Sequence, residues 1–291
     1  MAPIALIGAN GFIGKRIGML AVQRGTEVLG YTRATPIVNS QGLDPAVKDA
    51  AAVVWAASSI TPAVAETHPE RIEDEQRSFT AICEQLAELD SPPHLVVMSS
   101  GGTVYGGPDV PYRETDAPAP VNRYGEAKLE LERIAARASL SSTVLRVANA
   151  YGVGQRNAGG QGVIGYWLRA LREDHPIVIF GDGTSARDYV YVDDIARAVL
   201  LAADAPGAAN GQRILNIGSG TPTTLTELAE LCLEVTGHDS TIRYEASRGF
   251  DASKNYLDAT AARETLGWSA ETDLRTGIQR TWEWVNETAL V

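Results

Sequence analysis

The sequence has few cysteines and no long apolar run. Its 291 residues include two cysteines, Cys83 and Cys232, which are too few for a disulfide framework. We expect both to be buried thiols of a protein that works in the reducing cytoplasm. No stretch reaches the ~18–20 consecutive apolar residues of a membrane-spanning helix, so we expect no membrane segment. The first residues lack the basic region of a secretory signal, and we expect no targeting segment.

Positive charge is also scarce. The chain has 25 lysines and arginines against 36 aspartates and glutamates, a formal net charge of −11. Nucleic acids and anionic membranes attract proteins with a positive field, so we expect neither as a partner. The four histidines are scattered along the chain without the spacing of metal ligands, and we therefore expect no metal site.

Short apolar strands alternate with helices over the first half of the chain. The patterns predict strands over 3–8, 27–31, 51–57, 94–99 and 142–147, and helices over 12–24, 69–89 and 122–138. Such alternation predicts an α/β protein with a doubly wound parallel sheet. After about residue 150 glycine and proline become denser and the elements shorter. We predict a dinucleotide-binding domain over 1–150, to whose sheet 190–215 returns, and a smaller substrate-binding lobe mainly over 151–291.

A glycine-rich turn follows the first predicted strand and opens the first predicted helix. Its sequence is Gly8-Ala-Asn-Gly11-Phe-Ile-Gly14. Glycines at this spacing allow a tight turn and let a pyrophosphate approach the helix N-terminus, whose N–H groups and dipole bind negative charge. The motif predicts a Rossmann dinucleotide-binding domain. We assign to the cofactor site Gly8, Asn10, Gly11, Phe12, Ile13 and Gly14 of this turn, with Ala56, Ala57 and Ser99 from later strand ends.

The residues after the second predicted strand bear on which dinucleotide is bound. In NAD-binding domains of this kind an acidic residue ~20 positions after the glycine turn binds the adenosine ribose. Here Thr32 takes that place and Arg33 follows. Loss of the carboxylate removes repulsion of a 2′-phosphate, and a guanidinium can pair with that phosphate. These residues favour NADP(H) over NAD(H); the alternative is that Arg33 is a solvated loop residue covering the adenine.

A tyrosine and a lysine lie one helical turn apart in Tyr124-Gly-Glu-Ala-Lys128. An unperturbed tyrosine, with a pKa of about 10, is a poor acid–base near neutral pH. A lysine ammonium and an oxidised nicotinamide both stabilise the phenolate and lower that pKa. A tyrosine so tuned can exchange a proton with a sugar hydroxyl or ketone while the cofactor moves hydride. We therefore predict Tyr124 and Lys128 as catalytic and cofactor-contacting residues.

Nearly the whole chain resembles the extended short-chain dehydrogenase/reductase family, and within it the NAD-dependent nucleotide-sugar epimerases, dehydratases and 4-ketoreductases. The resemblance implies that Asn149 and Arg187 contact the sugar diphosphate, that Arg248 binds the diphosphate and that Asp251 binds the nucleoside ribose. The segments that carry the resemblance are the glycine turn, 98–106, 124–128, 145–152, 180–194, 248–251 and Leu266-Gly-Trp268.

The sequence departs from the family pattern at three places. Gly101 stands where relatives usually carry a Ser or Thr that helps the tyrosine polarise the C4 oxygen, and Ser100 or Thr103 could supply that hydroxyl. Only about 20 residues join Arg33 to the strand at 51–57, where relatives fit a helix and another strand with an adenine-contacting Asp. Asp44 is the candidate for that Asp in a shortened connection, and we expect a more open adenosine pocket. Glu75-Gln76 replaces the Asn that relatives usually carry.

The resemblance leaves more than one activity open. In a 4-ketoreductase, NADPH delivers hydride to C4 of a nucleoside-diphospho-4-keto sugar while Tyr124 protonates the oxygen. In a 4-epimerase, a retained NAD oxidises C4 and returns the hydride to the other face. Thr32-Arg33 favours the reductase, and the turn at 99–106 favours the epimerase. A third alternative, a non-enzymatic NADP-binding regulator, is disfavoured because such proteins often lose the Tyr–Lys pair that this chain keeps.

The resemblance also predicts a homodimer. In this family, helices equivalent to 69–89 and 122–138 form a four-helix bundle between two subunits. Both predicted helices carry an apolar stripe that could serve this purpose, although the stripes could instead pack on the chain's own sheet. The stripe residues are Ile72, Phe79, Cys83, Leu86, Leu129 and Ile134.

Overall fold

Strands and helices alternate along the chain in the computed structural model, which describes residues 2–106, 110–156, 162–205, 211–247 and 254–288. A 3₁₀ helix covers Pro45–Asp49. The strands are β1 (Ile4–Ile7), β2 (Val28–Tyr31), β3 (Val38–Asn39), β4 (Gly42–Leu43), β5 (Ala52–Trp55), β6 (His94–Ser100), β7 (Ser142–Val147), β8 (Asn149–Tyr151), β9 (Ile177–Phe180), β10 (Ala186–Tyr191), β11 (Gln212–Ile217), β12 (Pro222–Thr224), β13 (Ile242–Glu245) and β14 (Lys254–Asn255). The helices are α1 (Phe12–Gln23), α2 (Pro62–Thr67), α3 (Glu70–Ala87), α4 (Gly101–Val104), α5 (Arg123–Arg137), α6 (Val163–Arg172), α7 (Val192–Asp204), α8 (Leu225–Thr236), α9 (Thr260–Leu266) and α10 (Leu274–Glu287).

Six strands form one parallel sheet in the order β11-β7-β6-β5-β1-β2. Every residue of β1, β5 and β7 is buried, as expected for strands covered by helices on both faces. The predicted α/β class with a Rossmann-type, doubly wound parallel sheet is thus confirmed. Because the strands are parallel, their carboxyl ends meet at one edge of the sheet, where ligands bind in such folds.

Helices cover the two faces of this sheet. Helices α1 and α7 pack on one face, where Ile17 and Val199 are fully buried. Helices α3 and α5 pack on the other face, where Phe79 and Leu131 are buried against the strands. Each helix buries its apolar stripe in this way, so packing on the sheet accounts for the helical periodicity of the sequence.

The apolar stripe that suggested a dimer is largely a core feature. Phe79, Cys83, Leu86 and Ile134 belong to the core between α3, α5 and the sheet, and Leu129 is also buried. These side chains cannot also form an exposed subunit interface, so the stripe as such does not support a four-helix bundle. The homodimer stays a prediction.

The connection between β2 and β5 is short, as expected from the small number of residues between the two predicted strands. It holds the hairpin of β3 and β4 and the 3₁₀ helix, and β2 is one of the two edge strands of the parallel sheet. Asp44 accepts a hydrogen bond from the backbone N–H of Ala46 and caps the 3₁₀ helix. Burial and the neighbouring Asp44 carboxylate raise the pKa of Tyr31 to about 12.

The second half of the chain builds a lobe beside the carboxyl edge of the sheet. Strand β10 pairs with β8, β12 and β14, and β9 pairs with β13. Helices α6, α8 and α10 pack around these strands with Trp167 and Ile278 in their core. Helix α7 and strand β11 pack into the parallel sheet, although they follow β10 in sequence. Among the described residues no helix is both long and apolar enough to cross a membrane.

Candidate active site

A cavity of about 560 Å³ lies between the carboxyl edge of the sheet and the lobe. The ends of β5, β6 and β7 and the start of α1 line one side, and residues from β10 and α8 line the other. The lining includes Phe12, Ile13, Ala56, Ala57, Ser58, Met98, Ser99, Ser100, Thr103, Tyr124, Lys128, Asn149, Tyr151, Gln155, Ser185, Arg187, Tyr189 and Leu225. Many of the predicted cofactor, catalytic and substrate residues therefore share one cavity.

The glycine turn joins β1 to α1 with no room for side chains at its ends. Gly8 has φ +91°, and a Cβ there would lie 2.7 Å from the backbone nitrogen of Ala57. A Cβ on Gly14 would lie 2.1 Å from the Gly8 carbonyl oxygen. Gly11 donates to that same oxygen at 2.9 Å and forms the N-cap of α1 without a side-chain cap.

These features fit a dinucleotide. The first turn of α1 carries no acidic residue, and its first two residues, Phe12 and Ile13, line the cavity. The positive end of the α1 dipole is therefore available to a pyrophosphate. Asn10 is exposed in the same turn. Ala56 and Ala57 present small side chains to the cavity beside it.

Thr32 and Arg33 follow β2, at the outer edge of the sheet. The Thr32 hydroxyl accepts hydrogen bonds from the backbone N–H groups of Ala34 and Thr35, both at 3.2 Å, and so shapes this turn. The Arg33 side chain is exposed. The turn lies at the carboxyl end of the strand next to β1, where Rossmann domains bind the adenosine ribose.

Tyr124 and Lys128 lie on the first turns of α5, facing the cavity. The Asn122 side chain caps the helix by accepting from the N–H of Gly125. A Cβ on Gly125 would lie 2.2 Å from the Thr103 carbonyl oxygen, so glycine lets α5 approach α4 closely. The Lys128 ammonium lies 5.5 Å from the centroid of the Tyr124 ring. This distance allows the ammonium to stabilise a phenolate.

Lys128 has a charged partner that the motif does not reveal. Its ammonium donates to Glu75 Oε1 at 2.8 Å and to Ser58 Oγ at 3.1 Å. Burial is the largest single influence and lowers the pKa of Lys128, but the Glu75 carboxylate and Tyr124 together raise it by more, so the net pKa lies above its usual value. The sequence indicates that Glu75 faces inward, because it lies four residues before the core residue Phe79 on the same face of α3.

The hydroxyl groups near Gly101 differ in their surroundings. Ser99 Oγ donates to Glu132 at 2.5 Å, whereas Ser100 and Thr103 line the cavity. Within the described residues, Thr103 Oγ1 is buried and has no hydrogen-bond partner. A Cβ on Gly101 would lie 2.5 Å from Cδ1 of the buried Leu257, so the usual serine would require the Leu257 side chain to move.

A second buried ion pair joins strand β7 to helix α5, which carries Tyr124 and Lys128. Arg146 of β7 pairs with Glu132 of α5 at 2.7 Å, with both side chains almost fully buried. Arg146 also donates to the Tyr105 hydroxyl at 2.8 Å, and that hydroxyl donates to Asn216. The network ties α5 to the strands and to the turn that holds Thr103.

The structure describes some, but not all, of the residues predicted to bind the substrate. Asn149 and Arg187 line the cavity, and Asn149 Nδ2 donates to the Asp188 carbonyl oxygen at 2.9 Å. Strands β8 and β10 place them together, because Asn149 pairs with Tyr189, two residues after Arg187. Arg248 and Asp251 lie outside the described residues. No group of three or more candidate metal ligands occurs in the part of the chain that the structure describes.

A parallel Rossmann sheet, a glycine turn after its first strand and a Tyr–Lys pair on the helix at its carboxyl edge define a short-chain dehydrogenase/reductase. The model of the NAD dependent epimerase/dehydratase family matches residues 4–218, and the chain belongs to this family. The family resemblance, and with it an enzyme of the extended type, is thereby confirmed.

Curated relatives include several 4-epimerases, a reductase and a dehydrogenase of nucleotide sugars. The chain is 36% identical to the dTDP-4-dehydro-6-deoxyglucose reductase of Escherichia coli, over 64% of this chain and 59% of that protein. The first relatives are matched over only about three fifths of their length. The dTDP-6-deoxy-L-talose 4-dehydrogenase (NAD(P)(+)) of Kitasatospora kifunensis is 30% identical over 97% of this chain and 95% of that protein.

Solved structures of the same fold match over the whole chain. The UDP-glucose 4-epimerase of Thermotoga maritima, determined with UDP-glucose, is 30% identical with a TM-score of 0.85, and 99% of each chain is covered. MoeE5, determined with UDP-glucuronic acid and NAD, is 29% identical with a TM-score of 0.86 over 98% of this chain and 99% of that chain. A nicotinamide cofactor and a nucleotide sugar thus occur in proteins of this fold and family.

Proposed function

We propose that this protein transfers hydride at C4 of a nucleoside-diphospho-hexose and works as an NADPH-dependent 4-ketoreductase. The observation that carries the proposal is the Tyr124–Lys128 pair, which faces the same cavity as the glycine turn and Arg187. The E. coli and K. kifunensis relatives are named for redox chemistry at C4 of dTDP-6-deoxy sugars, which supports this choice.

Tyr124 is the general acid in this proposal. A bound nicotinamide supplies the hydride. The Tyr124 phenol gives its proton to the C4 oxygen, and the Lys128 ammonium stabilises the phenolate that remains. Thr103 offers a second hydroxyl to the same oxygen, because its Oγ1 is buried at the cavity without a partner among the described residues. Ser100, which also lines the cavity, is the alternative donor.

Arg187 and Asn149 bind the diphosphate of the substrate in this proposal. A diphosphate carries about two negative charges, and a guanidinium matches the geometry of phosphate oxygens. A local arginine suits a chain whose net charge is −11, since the overall field repels anions. By family resemblance we assign Arg248 to the diphosphate as well and Asp251 to the nucleoside ribose.

The preference for NADPH is supported by the turn after β2. Arg33 is exposed next to Thr32, where a carboxylate would repel the 2′-phosphate. We further propose that the protein works in the cytoplasm, because Cys83 and Cys232 are buried free thiols and are consistent with a reducing compartment.

A second candidate function is 4-epimerisation with a retained NAD. It is favoured by the match to the T. maritima UDP-glucose 4-epimerase over 99% of both chains. The two functions differ in net redox change, although Tyr124 and Lys128 do the same work in both.

To test the proposal, the protein is incubated with NADPH deuterated at the nicotinamide C4 and with a dTDP-4-keto-6-deoxy sugar. A reductase consumes NADPH and gives a product deuterated at the sugar C4, which mass spectrometry detects. In parallel, UDP-glucose and UDP-galactose are incubated without added cofactor. Interconversion of these sugars, with no consumption of NADPH in the first assay, would replace the reductase by the epimerase.

A further inference from the structure

A buried ion pair links α3 to the catalytic helix α5. Glu75 Oε1 and Lys128 Nζ are 2.8 Å apart, and their side chains are only 5% and 4% exposed. Burying two charges costs desolvation energy that their attraction often fails to recover, so such a pair is poor evidence for a purely stabilising role. A role in the chemistry of the neighbouring tyrosine is the stronger explanation.

Glu75 is itself held in place by the loop after β5. Its Oε2 accepts from the backbone N–H of Ser59 at 2.7 Å and from the Ser58 hydroxyl at 3.1 Å. Ser58 lines the cavity and also accepts a hydrogen bond from Lys128. The carboxylate therefore joins α3, α5 and the cavity wall.

The contacts with Glu75 and Ser58 determine how many N–H donors of the Lys128 ammonium can face the cavity. An ammonium has three N–H donors, and Glu75 and Ser58 accept two of them. Counting only acceptors among the described residues, one N–H is left for a further acceptor at the cavity. A lysine this buried would tend to lose its proton without a counter-charge, and a neutral amine no longer stabilises a phenolate.

Besides Glu75, the titratable groups near Lys128 are Tyr124 and two glutamates that have partners of their own. Tyr124 faces Lys128 from the preceding turn of α5. Glu132, one turn further along α5, is bound to Arg146 and Ser99. Glu66 of α2 pairs with Arg123 at the exposed start of α5. Among the described residues, Glu75 is the carboxylate in contact with the Lys128 ammonium.

We propose that Glu75 is a positioning residue for hydride transfer, which keeps the Lys128 ammonium protonated and fixed beside Tyr124. This inference rests on the proposed role of Tyr124 as proton donor. Glu75 acts through Lys128 and need not touch the substrate. In this chain, the residues of the Tyr-x-x-x-Lys motif would thus depend on Glu75 for their catalytic role.

The first test measures the charge of Lys128 directly in the protein without cofactor. The chain has four lysines, so ¹³C labelling at the lysine Cε gives few NMR signals, and Lys128→Arg assigns the one of interest. We expect wild-type Lys128 to titrate above the usual lysine pKa of about 10.4. In Glu75→Gln, burial without a counter-charge should lower the midpoint by about one pH unit or more.

Two control variants accompany this titration. Glu73→Gln removes the same charge from an exposed position of the same helix and should leave the Lys128 midpoint unchanged. Glu75→Asp keeps the charge and should recover most of the high midpoint, which a merely structural role would not produce. Equal midpoints in wild type and Glu75→Gln would overturn the inference, whatever the substrate of the enzyme is.

The second test follows kcat, KM and their pH dependence in the 4-ketoreductase assay. We expect Glu75→Gln to lose kcat by about tenfold or more, with the loss growing at alkaline pH and KM for the nucleotide sugar nearly unchanged. An unchanged pH profile in Glu75→Gln would overturn the positioning role while the proposed function stands. If the wild type turned over neither sugar pair, the proposed function would fail, and the catalytic part of this inference would fail with it.

Discussion

The Tyr124 hydroxyl is the single group on which the proposed chemistry depends most. Tyr124→Phe keeps the aromatic ring beside Lys128 but removes the proton donor. We expect kcat to fall by roughly 10²–10⁴-fold, because general acid catalysis contributes about that much. KM for the nucleotide sugar should change little. Steady-state kinetics measure both constants.

A matched control for this variant is Tyr244→Phe. Tyr244 is 53% exposed on β13, so loss of its hydroxyl should leave kcat within about twofold, as for most surface changes. Full activity of Tyr124→Phe would contradict the mechanism. The proton would then have to come from another group.

Thr103 and Ser100 compete for the role of second hydroxyl. Thr103 Oγ1 is buried at the cavity, and no described residue is its hydrogen-bond partner, so it is free to serve the C4 oxygen. We expect Thr103→Val, which keeps the shape, to lower kcat by about 10-fold or more, consistent with loss of one hydrogen bond in the transition state. Thr103→Ser should restore most of the activity. A larger loss in Ser100→Ala than in Thr103→Val would assign the role to Ser100.

At the scale of elements, the Glu132–Arg146 pair joins helix α5 to strand β7. Arg146→Met leaves the Glu132 carboxylate buried without its partner, and we expect a loss of about 3–5 kcal/mol in the free energy of unfolding. The exposed pair of Glu130 and Arg137 on the same helix is the comparison. Arg137→Met should cost no more than about 1 kcal/mol. Urea denaturation measures both losses, and equal losses would contradict the assigned role.

The start of β6 carries a titratable group with a predictable effect on stability. His94 is buried between Ser141 and Thr143, and burial lowers its pKa. Between its folded pKa and the unfolded value of about 6.5, the unfolded chain binds more protons, so stability falls as pH falls through this window.

The midpoint of urea unfolding at about pH 7.5 and about pH 5.5 tests this effect of His94. We expect the decrease on acidification to be smaller in His94→Gln than in the wild type. His68→Gln, which changes an exposed histidine, should behave as the wild type does. An identical pH dependence in His94→Gln and the wild type would refute the assignment.

Helices and strands are predicted from the sequence more accurately than the contacts that their side chains make. Helices expected over 69–89 and 122–138 are observed as Glu70–Ala87 and Arg123–Arg137, because their apolar periodicity reflects packing on one sheet. The hairpin of β3 and β4 is not predicted, since two-residue strands carry no periodicity. The apolar stripes of both helices suggest a dimer, whereas most of their side chains belong to the core.

In the candidate site, too, local motifs are predictable from the sequence and contacts between distant residues are not. The glycine turn and the Tyr–Lys pair are local patterns, and the amino-acid sequence is therefore enough to reveal them. Glu75 and Lys128 are 53 residues apart, and Gly101 is explained by Leu257 from the other half of the chain. The spacing of Glu75 and Phe79 indicates only that Glu75 faces inward. Neither contact can be predicted locally, because each depends on which elements the fold brings together.

At the scale of the whole molecule, the cofactor must either leave or stay after each turnover. A ketoreductase exchanges its dinucleotide in every cycle, whereas an epimerase needs the same dinucleotide to return the hydride. The short connection from β2 to β5, with its small hairpin, leaves little chain to enclose the adenosine end. This architecture favours release.

We therefore expect the purified protein to hold less than one dinucleotide per chain and to lose it on gel filtration. Added NADPH should then raise Tm more than NADH at equal concentration, because a ligand that binds only the folded state stabilises it by RT ln(1 + [L]/Kd). Arg33→Ala should remove most of that difference if the guanidinium binds the 2′-phosphate. Nucleotide released by denaturation and identified by mass spectrometry measures the first expectation, and thermal unfolding measures the second. Stoichiometric NAD that survives gel filtration would reverse the assignment, because a dinucleotide held that firmly suits hydride return within one active site and therefore the epimerase.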